Sequence, residues 1–287
     1  MRTQIVPAFP KKSSRGQGCE QNSPKNTVHV EGTTFKNVDE SSYMLNLSEK
    51  HFVELTNMRV LLFVTTHMPD LHAKALKWVW PNTVIASSLL THADVLFYTA
   101  KDINKTLLER IWPQKNITVA KYVNEGYQEG AISALMTAVE KRWFSNYDWV
   151  IRVNPDVIIR NETWIVSQML NKKKIRGILV DCRDQNLTEP IPKIHTDFFA
   201  IRPEHLPMPE RLRAYKSMKN AEYHATFLFE NIWANGHAVV LPDNDPSWSF
   251  CRVRGNRSSV VHDHEWLEQQ IIKEQIRTLI PERCETD

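Results

Sequence analysis

The sequence predicts an α/β protein in which a mostly parallel central sheet is flanked by helices. Short apolar runs occur at residues 59–66, 93–100 and 116–123, at intervals long enough for crossover helices. Before the next apolar run, at 149–151, residues 132–143 carry apolar side chains at helical spacing. Strands that alternate with helices in this way pair in parallel, because antiparallel neighbours need only short turns.

The chain divides into a polar arm and one large domain. Residues 1–57 are polar, without a sustained period, and we expect an extended arm there. Residues 58–287 are expected to form a single domain, whose predicted strands become less regular after residue 160. A helix is predicted from residue 221 to about 235, and a closing helix at 265–279.

Composition limits the classes of partner. The 287 residues are 42% hydrophobic, enough for a substantial core. The 36 basic and 33 acidic residues are well mixed, so the basic stripe of a nucleic-acid-binding protein is missing from the sequence. No segment approaches the ~18 to 20 apolar residues of a membrane span, and no signal-peptide core is visible near the N-terminus. We expect a cytoplasmic protein, or a lumenal one if a leader has been removed.

Cysteines and glycosylation sequons point in different directions. The four cysteines, Cys19, Cys182, Cys251 and Cys284, lack the spacing of a zinc module, and reduced thiols are expected. Asparagines head N-x-S/T sequons where composition alone gives roughly two. The six are Asn46, Asn104, Asn116, Asn161, Asn186 and Asn256. These sequons can be glycosylated only if the protein is exported.

The first candidate for chemistry is Asp156. The run Trp149-Val150-Ile151 continues toward Asn154-Pro155-Asp156. Proline has no N–H for a sheet ladder, so the strand should end before Pro155 and deliver Asp156 to the edge of the sheet. Ligands of open α/β sheets lie beyond the carboxyl ends of strands, and a carboxylate there suits a hard divalent cation. The alternative is a carboxylate that merely caps a turn.

A second candidate group is formed by His262 and His264. Two residues apart on an extended strand, they face the same side, with Asp263 opposite. They could bind a metal together with Asp156, or they could be ordinary surface histidines.

Two more carboxylates are candidates. Asp197 precedes the apolar pair Phe198-Phe199 and should lie near the sheet edge, where it could bind a sugar hydroxyl or simply be solvated. Glu222 is in the first turn of the predicted helix, on the side of its apolar residues. The helix dipole stabilises an anion there, which makes Glu222 a usable general base or an ordinary helix-start glutamate.

The helix at 127–143 has glycines at its start. Gly126 and Gly130 leave room for a ligand beside free backbone amides, although plain turn glycines would look the same.

In their order, these motifs resemble glycosyltransferases of the GT-A fold. The matching segments are "RVLLFVTT", "ADVLFYT", "GYQEGA", "YDWVIRVNPDVII", "HTDFFAIRP", the helix opening at Ala221-Glu222, and "VVHDH". The resemblance covers about residues 58–266 and implies a Rossmann-like GT-A sheet with a smaller acceptor-side sheet. It also implies a nucleotide-binding half at 58–160 and an acceptor and metal half at 161–287. The chain resembles small soluble microbial or algal-virus members more than it resembles Golgi enzymes.

One position departs from the family pattern. The family's strand ends in a DxD motif, and Asn154 stands at the first acidic position, so that Asp156 is the only carboxylate of the motif.

The resemblance also implies roles for individual residues. Asp156 with His262 or His264 would hold Mn²⁺ or Mg²⁺ against the donor's diphosphate. Asp197 would contact donor sugar or acceptor, and Glu222 matches the catalytic base of inverting members. The expected donor-binding residues are Thr65, Thr66, His67, Tyr98, Gln128, Gly130, Ala131 and Asn154.

The implied activity is transfer of a sugar from a UDP-sugar, possibly UDP-xylose, to a hydroxyl of an oligosaccharide or glycoprotein glycan, with inversion. Two alternatives stay open. One is a metal-dependent phosphohydrolase that uses Asp156 with His262 and His264. The other is a non-catalytic nucleotide-sugar binding module, which the asparagine at position 154 makes credible.

Overall fold

A computed structural model describes the chain from Leu47 to Leu279 with several internal gaps. The described residues are 47–113, 115, 117–122, 127–171, 173–183, 191–207, 220–241, 244–245, 252–253 and 259–279.

Eleven strands are present among the described residues. They are β1 (Val60–Thr66), β2 (Asp94–Thr99), β3 (Ile117–Lys121), β4 (Trp149–Val153), β5 (Ile158–Ile159), β6 (Gly177–Leu179), β7 (Phe198–Ile201), β8 (Ala238–Val240), β9 (Asn244–Asp245), β10 (Arg252–Val253) and β11 (Val260–Val261). Seven form the central sheet, in the order β3-β2-β1-β4-β7-β6-β8. Only β7 in that sheet runs against its neighbours β4 and β6. Antiparallel pairs β5-β11 and β9-β10 form two small sheets. The predicted α/β class with a mostly parallel sheet is confirmed.

Helices cover the sheet. They are α1 (Glu49–Thr56), α2 (Asp70–Trp78), α3 (Trp80–Ile85), α4 (Ser88–His92), α5 (Lys105–Ile111), α6 (Tyr127–Glu140), α7 (Glu162–Leu170), α8 (Ala221–Leu228), α9 (Glu230–Trp233) and α10 (His264–Leu279). Several begin where a side-chain oxygen accepts a hydrogen bond from a backbone N–H of the first turn, which satisfies a donor that the helix leaves unpaired. These N-cap residues are Ser48, Ser87, Asn104, Asn161 and Asn220.

The sheet separates two apolar layers. Along β1, Leu62 and Val64 belong to the core on one side, and Leu61 and Phe63 belong to the core on the other. This alternation is the period of two of an extended strand. Because both faces of β1 are covered, the strand is apolar throughout instead of alternating with polar residues.

The predicted arm includes a helix close to the core. Residues 47–57 contain α1, which packs against α4 and α7, and its Leu55 is fully buried. Phe52 and Val53 of this short helix are exposed although they are apolar, so its sequence does not show a single apolar face. Residues 1–46 lie outside the described residues.

The strand that carries the candidate carboxylate ends as predicted. β4 stops at Val153, and the turn that follows contains Pro155, whose carbonyl accepts a hydrogen bond from the indole Nε1 of Trp80 at 2.8 Å. The chain then forms β5, which pairs with β11 directly before His262. This pairing brings the turn of residues 154–157 beside the two C-terminal histidines.

Cys182 differs from the expectation of reduced thiols, because it is disulfide-bonded. The spacing of the cysteines contains no signal for pairing, since a disulfide depends on the folded distance between the two residues. The other three cysteines lie outside the described residues.

Within the described part of the chain, no helix combines the length and the apolar character that crossing a membrane requires.

Candidate functional site

Three imidazoles surround one carboxylate at the carboxyl edge of the sheet. The Oδ2 atom of Asp156 lies 2.9 Å from Nε2 of His264, 3.2 Å from Nε2 of His72 and 3.5 Å from Nε2 of His262. Asp156 is only 6% exposed. Its second oxygen, Oδ1, is buried and has no hydrogen-bond partner among the described residues. The carboxylate therefore keeps one oxygen for a ligand.

The charge of Asp156 is stabilised by its neighbours. Burial opposes ionisation, but hydrogen bonds from His262, His264 and His72 outweigh that effect and hold the pKa of Asp156 well below its usual value. Asp156 is thus an anion at neutral pH.

These residues fit a divalent cation. The ligating atoms of Asp156, His262 and His264 lie within 4.8 Å of one another, and those of His195, Asp197 and His262 form a second, adjoining group. The unpartnered Oδ1 of Asp156 adds an acceptor that burial leaves without water. Imidazole with carboxylate suits transition ions, whereas Mg²⁺ prefers oxygen ligands alone, so the donor set favours Mn²⁺ over Mg²⁺.

Asn154 links two strands at this edge. Its Oδ1 accepts a hydrogen bond from the hydroxyl of Thr65 at 2.7 Å, and its Nδ2 donates to Oδ1 of Asp197 at 2.6 Å. The register pairs Val153 of β4 with Phe198, the first residue of β7. The reversed direction of β7 therefore brings Asp197 to the edge at which β4 ends. An aspartate at position 154 could not donate to Asp197 and would repel it.

A buried arginine supports the same edge, and the sequence prediction missed it. Arg152 donates from Nε and Nη2 to the Thr65 hydroxyl, at 3.1 and 2.9 Å, and from Nη1 to the carbonyl of Thr196. Burial lowers the pKa of Arg152 to about 10, against the opposing charges of Asp197 and Glu222 among others, so the guanidinium stays charged. The sequence does mark Arg152, because it is the single charged residue within the otherwise apolar strand 149–153.

His72 is the second residue that the prediction missed. It lies in α2 and is 4% exposed, with Nδ1 2.8 Å from the hydroxyl of Thr66. A histidine on a short helix after the first strand carries no motif, and only the fold brings it to Asp156.

His195 connects Asp197 with His262. The backbone N–H of Asp197 donates to Nδ1 of His195 at 3.0 Å, and Nε2 of His195 lies 3.1 Å from Nδ1 of His262. Burial lowers the pKa of His195 to about 4, so the ring is neutral at pH 7. Asp197 itself is partly exposed, as a residue that meets a ligand must be.

Glu222 lies in the first turn of α8 and is half-buried. Gln128 from the first turn of α6 accepts a hydrogen bond from the backbone N–H of Ala221 at 2.6 Å, so the starts of the two helices adjoin. Gly130 is buried on α6, and Ala131 beside it is half-buried. Gln128, which is predicted to bind the donor, therefore lies beside the start of the helix that carries Glu222.

The remaining predicted donor residues are mostly engaged within the protein. Thr65 and Thr66 are buried, and both hydroxyls are hydrogen-bonded as described above. Tyr98 is 4% exposed and lies among the rings of Phe63, Tyr122 and Trp143, with Tyr122 stacked on it at 4.4 Å between ring centroids. Tyr122 itself is half-buried. His67 is half-buried, and its pKa is lowered by burial and by the neighbouring His72.

A buried histidine on the Glu222 helix should make folding pH-dependent. Neither ring nitrogen of His224 has a hydrogen-bond partner within the described residues, and burial lowers its pKa from 6.5 to about 4. In the unfolded chain, His224 binds a proton below pH 6.5, whereas in the folded chain it binds one only near pH 4. The unfolded state is therefore favoured by protonation, and stability present above pH 6.5 is lost as the pH falls toward 4. We expect the variant H224L to show a smaller loss of unfolding free energy between pH 7 and pH 4, measured by urea denaturation.

The matched control is H51L, at a half-buried histidine on α1. It should keep the wild-type pH dependence. If H224L loses as much unfolding free energy between pH 7 and pH 4 as the wild type does, the prediction is contradicted.

The chain matches no protein-family profile and no curated protein. Solved structures that it resembles include a glycosyltransferase involved in the glycosylation of the major capsid of PBCV-1, at 12% identity and a TM-score of 0.45 over 75% of this chain and 99% of that one. Mouse xyloside xylosyltransferase 1 matches at 11% identity and a TM-score of 0.41, over 64% of this chain and 84% of that one. A cytidylyltransferase from Leptospira borgpetersenii matches at 11% identity and a TM-score of 0.39, over 80% and 98% of the two chains. The resembling structures thus include both glycosyl- and nucleotidyltransferases.

Proposed function

We propose that this protein is a metal-dependent glycosyltransferase that moves a sugar from a UDP-sugar to a hydroxyl of a glycan. The observation that carries the proposal is the buried, ionised Asp156 with one unpartnered oxygen, beside His262 and His264 at the carboxyl edge of the sheet. Anionic cofactors and substrates of open α/β sheets bind at that edge, and a cation held there can meet a diphosphate.

In the proposed reaction, the acceptor oxygen attacks the anomeric carbon while the bond from that carbon to the diphosphate breaks. Asp156 and His264, with His262, would hold Mn²⁺, which when bound neutralises charge on the leaving diphosphate. Arg152 contributes a buried positive charge near Asp197 and Glu222. Glu222 takes the proton of the acceptor hydroxyl, and UDP leaves with the bonding electrons.

Asp197 is proposed to bind a hydroxyl of the donor sugar or acceptor. Its Oδ1 is held by Asn154, and its Oδ2 lies 3.9 Å from His262 and 4.0 Å from His195. One oxygen is thus fixed, and the other is outside hydrogen-bond distance of both imidazoles. A carboxylate held by one oxygen in this way is preorganised for a hydroxyl donor at the other.

A phosphohydrolase is the second candidate, because the group of Asp156, His262 and His264 adjoins the group of His195, Asp197 and His262. Paired metal ions are a recurring device of phosphoester hydrolysis. That activity would release inorganic phosphate from phosphoesters without a sugar acceptor.

The first prediction concerns donor binding. UDP should raise the melting temperature more with Mn²⁺ than without it, because Asp156, His262 and His264 would hold the ion and its charge would attract the diphosphate. Thermal scans of the full chain with UDP, UDP-xylose and UDP-glucose measure this. D156N should lose the Mn²⁺-dependent part of the UDP-induced rise in melting temperature. E109Q, at an exposed glutamate of α5, should retain it. If no nucleoside diphosphate shifts the melting temperature, the glycosyltransferase proposal is excluded. Release of inorganic phosphate without a sugar acceptor would favour the phosphohydrolase.

The second prediction concerns the base. E222Q should keep donor affinity, while sugar transfer falls by about 10²- to 10⁴-fold, because glutamine cannot accept the proton. Transfer is followed by mass spectrometry with a panel of nucleotide sugars and glycan acceptors. E230Q, in the first turn of α9, is the matched control and should leave the rate unchanged. Equal rates for E222Q and the wild type would remove Glu222 from this role.

We also propose that the protein matures in an oxidising compartment, in place of the expected cytoplasm. The disulfide at Cys182 supports this, because disulfides seldom persist where thiols are kept reduced. Asn104, which heads a sequon, is exposed, and the oxygen that caps α5 would keep its hydrogen bond after glycosylation of the amide nitrogen.

In protein purified from its natural source without reductant, Cys182 should resist alkylation until a reductant is added. Peptide mass mapping before and after reduction measures this. A Cys182 peptide that is alkylated at once would contradict the proposal.

A further inference from the structure

A buried chain of polar groups connects the end of β1 to the candidate metal ligand. The hydroxyl of Thr66 lies 2.8 Å from Nδ1 of His72, and Nε2 of His72 lies 3.2 Å from Oδ2 of Asp156. Exposed fractions are 3% for Thr66, 4% for His72 and 6% for Asp156. Water therefore does not compete for these contacts.

The direction of the hydrogen bonds follows from the ionised carboxylate. Asp156 can only accept, so Nε2 of His72 carries a proton and donates it to Oδ2. In the neutral ring Nδ1 is then an acceptor, and it takes the hydrogen of the Thr66 hydroxyl, whose oxygen in turn accepts from the N–H of Met68 at 2.8 Å.

His72 differs from the other two histidines of the cluster. The side chain of His264 is 57% exposed, and its hydrogen bond to Asp156 competes with water. His262 is more distant, at 3.5 Å. Among the described residues, the groups whose ligating atoms lie within 4.8 Å of one another contain His262 and His264 but not His72. His72 is thus outside the ligand set while it holds the carboxylate from the buried side.

We propose that Thr66 and His72 form a positioning pair for Asp156, an inference that rests on the metal site of the proposed function. His72 fixes Oδ2 and leaves Oδ1 as the oxygen available to a cation. Outer partners of this kind orient a ligating group and restrict its motion before the metal arrives.

The loop between Thr66 and His72 contains a strained residue, Met68, that is held in place by hydrogen bonds. Met68 has φ 57°, a left-handed conformation that is unfavourable for a residue with a side chain. Its N–H is bound by Thr66, and its carbonyl accepts a hydrogen bond from Lys101 Nζ at 3.1 Å. Contacts on both sides of Met68 thus hold the turn that delivers His72 to Asp156.

Two polar substitutions at position 72 give a matched test. In H72Q, the amide nitrogen of glutamine can occupy the position of Nε2 and donate to Asp156. In H72N, the shorter side chain ends near the position of Nδ1 and cannot reach the carboxylate. We expect H72N to weaken Mn²⁺ binding by about 10- to 100-fold and H72Q to restore most of the affinity.

Mn²⁺ affinity is measured on the full chain by electron paramagnetic resonance, which reports free Mn²⁺ and requires no turnover. T66V should weaken binding by a smaller factor, because valine cannot set the His72 tautomer. H92Q alters a half-buried histidine that contacts the carbonyl of Met58, and it should bind Mn²⁺ like the wild type. Circular dichroism at the same temperature checks that every variant is folded.

The outcomes separate this inference from the proposed function. Wild-type affinity in both H72N and T66V would overturn the positioning role and leave the metal site intact. Equal losses in H72N and H72Q would also overturn it, because a donor at the Nε2 position would then have no effect. A wild-type protein that binds no Mn²⁺ would overturn the metal site itself.

Discussion

The need to keep a buried carboxylate ionised governs the arrangement of this site. An ion removed from water loses several kcal/mol of solvation unless charged or hydrogen-bonding partners replace it. Around Asp156, imidazoles from α2, from the residue after β11 and from the start of α10 supply those partners. Segments far apart in the sequence are therefore bound to one oxygen atom, and the second oxygen stays free among the described residues.

The asparagine that departs from the DxD pattern is explained by its neighbours. Asn154 receives a hydrogen bond on one side and donates one on the other, to Thr65 and Asp197 respectively. An ionised aspartate could accept from Thr65 but could not donate to Asp197. Asn154 thus connects β1 to Asp197, and the side chains next to Asp156 are the imidazoles of His72, His262 and His264.

Much of this fold was visible in the sequence, but only part of the site was. The three apolar runs became β1, β2 and β3. β1 and β2 are apolar throughout because they are buried within the sheet. β3 is a mostly exposed edge strand, and its β-branched residues made it recognisable. The resemblance implied that Asp156 lies beside His262 and His264, and the pairing of β5 with β11 brings them together. His72 and Arg152 were missed because their contacts arise from tertiary packing. Tyr98 is buried because aromatic side chains from other elements pack around it.

The indole of Trp80 holds the carbonyl of Pro155, one residue before the candidate ligand. Trp80 is itself fully buried against Trp112. The turn is thereby anchored to the hydrophobic interior, and its backbone is ordered when the chain folds. A ligand that binds at Asp156 would therefore meet a backbone that is already ordered, so the conformational entropy of the turn is lost on folding and not on binding.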